Sequence, residues 1–242
     1  MKSTFPLDVS IVIACYNEES LLKDSVDKVM TIMDSTRWNY ELIFVDDYSK
    51  DQTRSQIDQI IHEHPNLAIK KIFHEKNTGR GRTVSDGISI AQGRYVGYLD
   101  IDLEVGAHYI PYMVDALIQG YDVATAYRIY KATFKLLIRT IVSVGYRKLM
   151  RFLLKVPLID TETGYKFFNR EKILPVLART RDEGWFWDTE IMTRSYHAGL
   201  KIIELPCLFI RLYDKKSSVH LITDSIVYFR KLIAFRNELL KA

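Results

Sequence analysis

Between Val9 and Leu99, short apolar runs alternate with longer stretches of mixed polarity. Val9–Cys15, Tyr40–Val45, Leu67–Phe73 and Tyr95–Leu99 are rich in β-branched and aromatic residues, and apolar runs of that length read as buried strands. Glu18–Met33 (with Asn17 as its cap), Ser49 to about His62, and Gly79–Ala91 carry helical spacing. Strand and helix therefore alternate with short links, the pattern of a parallel sheet with right-handed crossovers. After Asp102 the rhythm changes. Helices are expected over Tyr109–Ile118, Lys131–Leu154 and Thr189–His197, and strands over Asp122–Ala126, Tyr165–Phe168 and Lys201–Leu205. An amphipathic helix closes the chain from about Ser218 to Lys241. The expected fold is α/β, a mostly parallel sheet flanked by helices. Its main domain covers residues 1–218 and a C-terminal helical extension covers 219–242.

In open parallel sheets, ligands bind beyond the carboxyl ends of the strands. Three polar clusters fall at such ends: Tyr16-Asn17-Glu18, Asp46-Asp47 and Asp100-Ile101-Asp102. Two carboxylates one residue apart suit a hard divalent ion, Mg2+ or Mn2+, which completes its shell with phosphate and water. Glu104 adds a possible third oxygen donor. Asn77-Thr-Gly79-Arg80-Gly81-Arg82 places two glycines and two guanidinium groups before a helix, where backbone amides and arginine forks can meet phosphate. It lacks the Gly-Lys-Ser/Thr ending of a Walker loop, and no Gly-x-Gly-x-x-Gly follows the first strand, which argues against a dinucleotide oxidoreductase.

Composition narrows the class little further. At 48% hydrophobic and 26% charged, the chain is globular in type, not disordered. Cys15 and Cys207 lie in no metal-binding spacing and read as buried thiols of a reducing compartment. No signal-peptide pattern is present, and no run approaches the ~18 apolar residues of a membrane span. The net charge of +4 matters through its distribution. Residues 123–159 hold eight Lys or Arg and no Asp or Glu, interleaved with bulky aliphatics. That suits an anionic membrane surface approached from the cytoplasmic face, and it does not suit nucleic acid.

Taken in order, Ala14-Cys-Tyr-Asn-Glu18, Val45-Asp-Asp-x-Ser49, Asn77-x-Gly-Arg-Gly81 and Asp100-x-Asp102 resemble family 2 glycosyltransferases of the GT-A fold. Tyr127-Arg128, Asp160-Thr-Glu-Thr-Gly164-Tyr-Lys-Phe, Gly184-Trp-Phe-Trp-Asp-Thr-Glu190 and Ile203-Glu-Leu-Pro206 are similar to the polyprenyl- and dolichyl-phosphate sugar synthase branch. The resemblance covers roughly residues 8–220. It implies an inverting, metal-dependent transfer of a hexose from a nucleotide diphosphate sugar to a polyprenyl phosphate, in cell-envelope glycan synthesis. Tyr16, Glu18, Asp46 and Asp47 would cradle the nucleoside, with Ala14, Gly79, Arg80, Asp100 and Ile101 completing the donor site. Asp100, Asp102 and Glu104 would hold the metal. Arg128, Arg139, Arg211 and Lys216 would meet the acceptor phosphate. The reaction centre would comprise Asp102, Arg128, Arg139 and Asp188.

Two departures stand out. The family's Lys-Gly-Gly is Arg80-Gly81-Arg82, and its Gly-Glu-Ser-Lys loop is Asp214-Lys215-Lys216-Ser217-Ser218. A phosphate acceptor is already anionic near neutral pH and needs no general base. A sugar hydroxyl would need one, for which Asp188 and Glu190 are candidates. A non-catalytic nucleotide-sugar-binding scaffold is the third reading, and a membrane-anchoring partner or a homodimer remains open.

Overall fold

The computed structural model describes residues 7–130, 148–211 and 221–240. Seven strands form one sheet: β1 (Leu7–Cys15), β2 (Tyr40–Asp46), β3 (Ala68–Phe73), β4 (Gly93–Leu99), β5 (Val123–Tyr130), β6 (Tyr165–Asn169) and β7 (Ile202–Phe209). Their order is β3-β2-β1-β4-β6-β5-β7. Strands β1 to β4 run parallel, β6 runs against both neighbours, and β5 and β7 are parallel. Because β6 is reversed, its start lies on the same edge as the carboxyl ends of β1, β2, β4 and β5. The mixed right half gathers residues from both ends of its strands at one place.

Helices cover both faces. On one side lie α1 (Leu22–Asp34), α2 (Thr53–Glu63) and α4 (Ile110–Ile118). On the other lie α3 (Arg80–Ile90), α5 (residues 148–154), α6 (Arg170–Leu177), α7 (Trp187–His197) and α8 (Leu221–Leu239). Strand periodicity splits the core accordingly. Ile11, Ile13, Leu42 and Phe44 face the first group, whereas Val12, Ile43 and Val45 face the second. Both faces are buried, which is why these strands read as continuous apolar runs.

The alternation expected from the sequence is present, with instructive differences. α1 starts at Leu22, not beside Asn17. Asn17 has a φ of 56°, its amide donates to Ser49 Oγ (2.8 Å), and its Oδ1 accepts from the Lys50 amide (2.8 Å). It is the corner of a turn that joins the ends of β1 and β2, and it caps no helix. The helix α6 is not among the expected elements, because its interior Pro175 masks the helical signal. Its cap is nonetheless a sequence feature: Asn169 accepts from the Lys172 amide at the N-terminus. Of the basic stretch expected to be helical over 131–154, residues 131–147 lie outside the described residues. α8 docks on the body through Leu232 and Phe235, both at most 4% exposed, and through the ion pairs Lys231–Asp182 and Arg194–Glu238. Burying two such side chains favours docking by about 1.5–3 kcal/mol each.

Candidate active site at the strand ends

The left part of the edge is organised by Asp47, which follows β2. Its amide donates to the Cys15 carbonyl (2.9 Å), closing β1 against β2. Its Oδ1 accepts from the Thr78 amide (2.7 Å), the Thr78 hydroxyl (2.8 Å) and His74 (2.8 Å), and its Oδ2 from the Gly79 amide (2.8 Å). Burial alone would raise the Asp47 pKa, but the bonds from His74, Thr78 and Gly79 outweigh it and hold the carboxyl below its usual range. Gly79 has a φ of 99°, and a Cβ there would come within 2.4 Å of the Glu183 carbonyl. No larger residue fits that turn.

This arrangement commits part of the expected phosphate cradle within the fold. The amides of Thr78 and Gly79 are committed to Asp47, and the Arg82 amide donates to the Glu183 carbonyl (3.1 Å). Arg82 itself points outward and pairs with Asp86 (2.9 Å). Three other expected donor-site residues have side chains held within the fold. Asp46 is wholly buried and accepts from Arg54 and from the Ser49 amide. Ile101 belongs to the core, and Ala14 packs against it on the opposite face. Tyr16, by contrast, is about half exposed at the end of β1, with Glu18 partly exposed beside it.

The right part is built from paired charges. Arg80 reaches Asp100 Oδ1 through Nη2 (2.6 Å) and Nε (3.1 Å), and Asp188 Oδ2 through Nη1 (2.5 Å). Its guanidinium lies 5.5 Å from the ring centroids of both Tyr98 and Trp185. Asp188 Oδ1 accepts in turn from the Tyr98 hydroxyl and from Lys166 Nζ (2.6 Å). Burial depresses the Arg80 pKa, but the two carboxylates overcome it and keep the charge fixed. Lys166 is wholly buried, and there burial prevails over Asp188, so its pKa lies below the usual lysine value. Asp188, 2% exposed with both oxygens occupied, neither caps α7 nor opens to solvent. Glu190 likewise holds the amides of Arg181 and Asp182 and pairs with Arg194.

Beside this cluster a small pocket is lined by Asp100, Asp102, Glu104, Arg128, Thr163, Gly164 and Phe209, among others. The Asp100 amide donates to the Gly164 carbonyl (3.0 Å). A Cβ on Gly164 would come within 2.0 Å of Asp100 Oδ2, so only glycine lets that carboxylate lie against β6. Arg128, near the end of β5, is paired through Nε (2.7 Å) and Nη2 (2.9 Å) with Asp160, which is fully buried. Burial pushes the Asp160 pKa up, and Arg128 more than reverses this. Glu204 of β7 fixes the turn carrying Asp160 by accepting from the amides of Ile159 and Asp160.

The predicted residues therefore divide. Asp100, Asp102, Glu104 and Arg128 come together, with Arg80 and Asp188 linked to them through Asp100. Arg211 is exposed just beyond β7. Arg139 and Lys216 lie outside the described residues. Among the described residues, Arg80, Arg128 and Lys166 pair with Asp100, Asp160, Glu162 and Asp188, and Asp102 and Glu104 bring further carboxylates to the same pocket. Oxygen-only donors of this kind fit Mg2+ or Mn2+. Among the described residues no three His, Cys, Asp or Glu side chains form a ready-made metal cluster, so the expected ligand trio of Asp100, Asp102 and Glu104 is not assembled as such. Sequence reasoning gives no role to Tyr98, Asp160, Thr163, Lys166 or Trp185. Four of them lie in the motifs at 160–167 and 184–190, which are the signal that could have found them.

A family model described as Glycosyl transferase family 2 matches residues 10–174. "Glycosyltransferase AglD" of Haloferax volcanii is 28% identical over 205 residues, covering 83% of this chain and 32% of its own length. A "Dolichyl-phosphate beta-glucosyltransferase" of Dictyostelium discoideum is 24% identical, covering 94% of this chain and 77% of its own. The chain thus spans about a third of the first relative and about three-quarters of the second. Among solved structures, glucosyl-3-phosphoglycerate synthase of Mycobacterium tuberculosis bound to UDP superposes with a TM-score of 0.69 at 17% identity, covering 96% of this chain and 81% of its own. The same synthase has been crystallised with Mn2+, UDP and its product (TM-score 0.65, 16% identity). At that identity the likeness concerns the fold.

Proposed function

The chain belongs to glycosyl transferase family 2, and from that premise we propose that it moves a hexose from a nucleotide diphosphate sugar to a polyprenyl phosphate, inverting the anomeric centre. The observation that carries this reading is one pocket shared by Asp100 and Asp102, at the end of β4, and by Arg128, near the end of β5. The first two suit a leaving diphosphate with its cation, and the third suits an incoming phosphate. The curated dolichyl-phosphate β-glucosyltransferase relative, aligned over nearly all of this chain, supports the acceptor class.

Within this reading, Tyr16, Glu18 and Asp47 lie on the nucleoside side. Asp47 works indirectly, by holding residues 74–79 in place. Arg80 holds Asp100 in position from below, itself clamped by Asp188. Mg2+ or Mn2+ held by Asp100 and Asp102 would neutralise charge on the departing diphosphate. Arg128 presents a fork whose Nε and Nη2 are fixed by Asp160, with Nη1 unbonded among the described residues. A guanidinium so oriented can position a phosphate monoester without having to remove a proton from it. A hydroxyl acceptor would need a carboxylate base, and Asp188 has both oxygens committed.

No helix among the described residues is long and apolar enough to cross a membrane. Contact with a membrane surface is supported instead by the exposed Lys148, Arg151, Lys155, Leu149 and Phe152, the last 80% exposed. The test is to incubate the protein with polyprenyl phosphate, Mn2+ and radiolabelled UDP-glucose or GDP-mannose, then follow label into the organic phase. Label should enter that phase with one donor, and a chelator should abolish transfer until Mn2+ or Mg2+ is restored. Label confined to the aqueous phase with both donors, although either one binds, would leave a scaffold role or a different acceptor.

A further inference from the structure

The pocket beside Asp100 contains one group that no other part of the protein explains. Thr163 lines it and is 1% exposed, and its hydroxyl oxygen has no hydrogen-bond partner among the described residues. A hydroxyl shielded from water and left unbonded is costly, and of the atoms in that state among the described residues Thr163 Oγ1 belongs to a residue that lines this pocket. The residue is also firmly held. Lys166 Nζ donates to the Thr163 carbonyl, and Lys166 is itself anchored by Asp188 (2.6 Å). The next residue, Gly164, accepts the Asp100 amide. The backbone is thus fixed from below and from the side while the hydroxyl remains unspent.

The strand order indicates which part of a ligand it meets. Across the edge the sequence runs β2, β1, β4, β6, β5. Asp47 and Tyr16 follow β2 and β1, Asp100 and Asp102 follow β4, Thr163 precedes β6, and Arg128 lies two residues before the end of β5. On the reading proposed above, nucleoside, diphosphate and acceptor phosphate follow that same order. Thr163 then stands between the diphosphate and the acceptor, where the transferred sugar must lie. We infer that Thr163 is a donor-sugar contact, its hydroxyl bonding a hydroxyl of the hexose that Asp100 and Asp102 bring to the reaction centre. This inference rests on the proposed function and adds a sugar-recognition residue to it.

Calorimetry separates the two. UDP-glucose and UDP, and GDP-mannose and GDP, are titrated with Mn2+ into the wild-type protein, Thr163→Val and Thr163→Ser. For the pair that the wild type binds, Thr163→Val should weaken the nucleotide sugar roughly tenfold, the worth of one hydrogen bond. It should leave the free nucleoside diphosphate within about twofold, which also shows that the variant folds. Thr163→Ser, which restores the hydroxyl, should recover most of the loss. Equal weakening of sugar and diphosphate forms, or no weakening of either, overturns the inference while the proposed function stands. Failure of the wild type to bind either pair overturns both.

Discussion

The two halves of the catalytic edge are held by different forces. On the nucleoside side, Asp47 is surrounded by backbone amides, a threonine hydroxyl and a histidine, above strands whose cores are mostly apolar and whose buried Glu41 and Asp46 are paired with Lys70 and Arg54. On the transfer side, Arg80, Asp100, Lys166 and Asp188 form a linked set of charges under a partly open surface, and Arg128 leans on Asp160. Amide dipoles hold a loop whatever binds nearby. Paired charges respond to any charge brought beside them, and on the proposed function a diphosphate, an acceptor phosphate and a cation would meet on this side. Buried pairs give modest net stability but heavily penalise the loss of one member. The transfer side therefore gains geometric precision at the cost of sensitivity to single substitutions.

The largest expected effect probes the ligand-facing end of that network. Asp102→Asn should lower turnover by about a thousandfold, the rate equivalent of the several kcal/mol that a cation's charge neutralisation supplies. Its melting temperature should change little, because Asp102 is only partly buried. Near-normal turnover would remove Asp102 from the reaction centre. Next in size is Asp188→Asn, which leaves Arg80 and Lys166 without their shared carboxylate. Urea unfolding should show a loss of about 3–5 kcal/mol, and a loss below about 1 kcal/mol would mean that the buried charges do not hold this half together.

The smallest effect is a pH dependence that both halves share. Asp47 and Asp160 have folded pKa values below the ordinary carboxylate value, so each stabilises the protein above about pH 4. That contribution disappears as pH falls through the lowered folded values. Thermal melts should be nearly flat from pH 7 to 5 and fall below about 4. Asp160→Asn and Asp47→Asn should each flatten the acid limb as well as lower the plateau. An acid limb as steep in both variants as in the wild type would contradict the assignment.

Much of the left half is legible in the amino-acid sequence alone. The runs at Val9–Cys15, Tyr40–Val45 and Tyr95–Leu99 form β1, β2 and β4 because sequence-local strands buried on both faces leave a continuous apolar signature. Asp100 and Asp102 are legible for the same reason, since a strand end locates its own last residues. The right half is less so. β6 pairs antiparallel between β4 and β5, a reversal that the five residues Tyr165–Asn169 do not encode. β7 extends through Pro206, a residue tolerated there because the strand lies at the sheet edge.

By itself the sequence determined the family, the alternation of β1 to β4 with their helices, and the polar residues at the strand ends. These depend on local periodicity and on motifs that short segments carry alone. Only the tertiary structure decided how those residues are spent. Asp47 straps a loop, Asp46 is buried against Arg54, and Asp188 anchors Arg80 and Lys166, which lie 108 and 22 residues away in the chain. Thr163 is left at the centre of the edge with a hydroxyl unbonded among the described residues. A carboxylate's role follows from which partners reach it across the fold, and the distances that decide this are not written in the spacing of the residues.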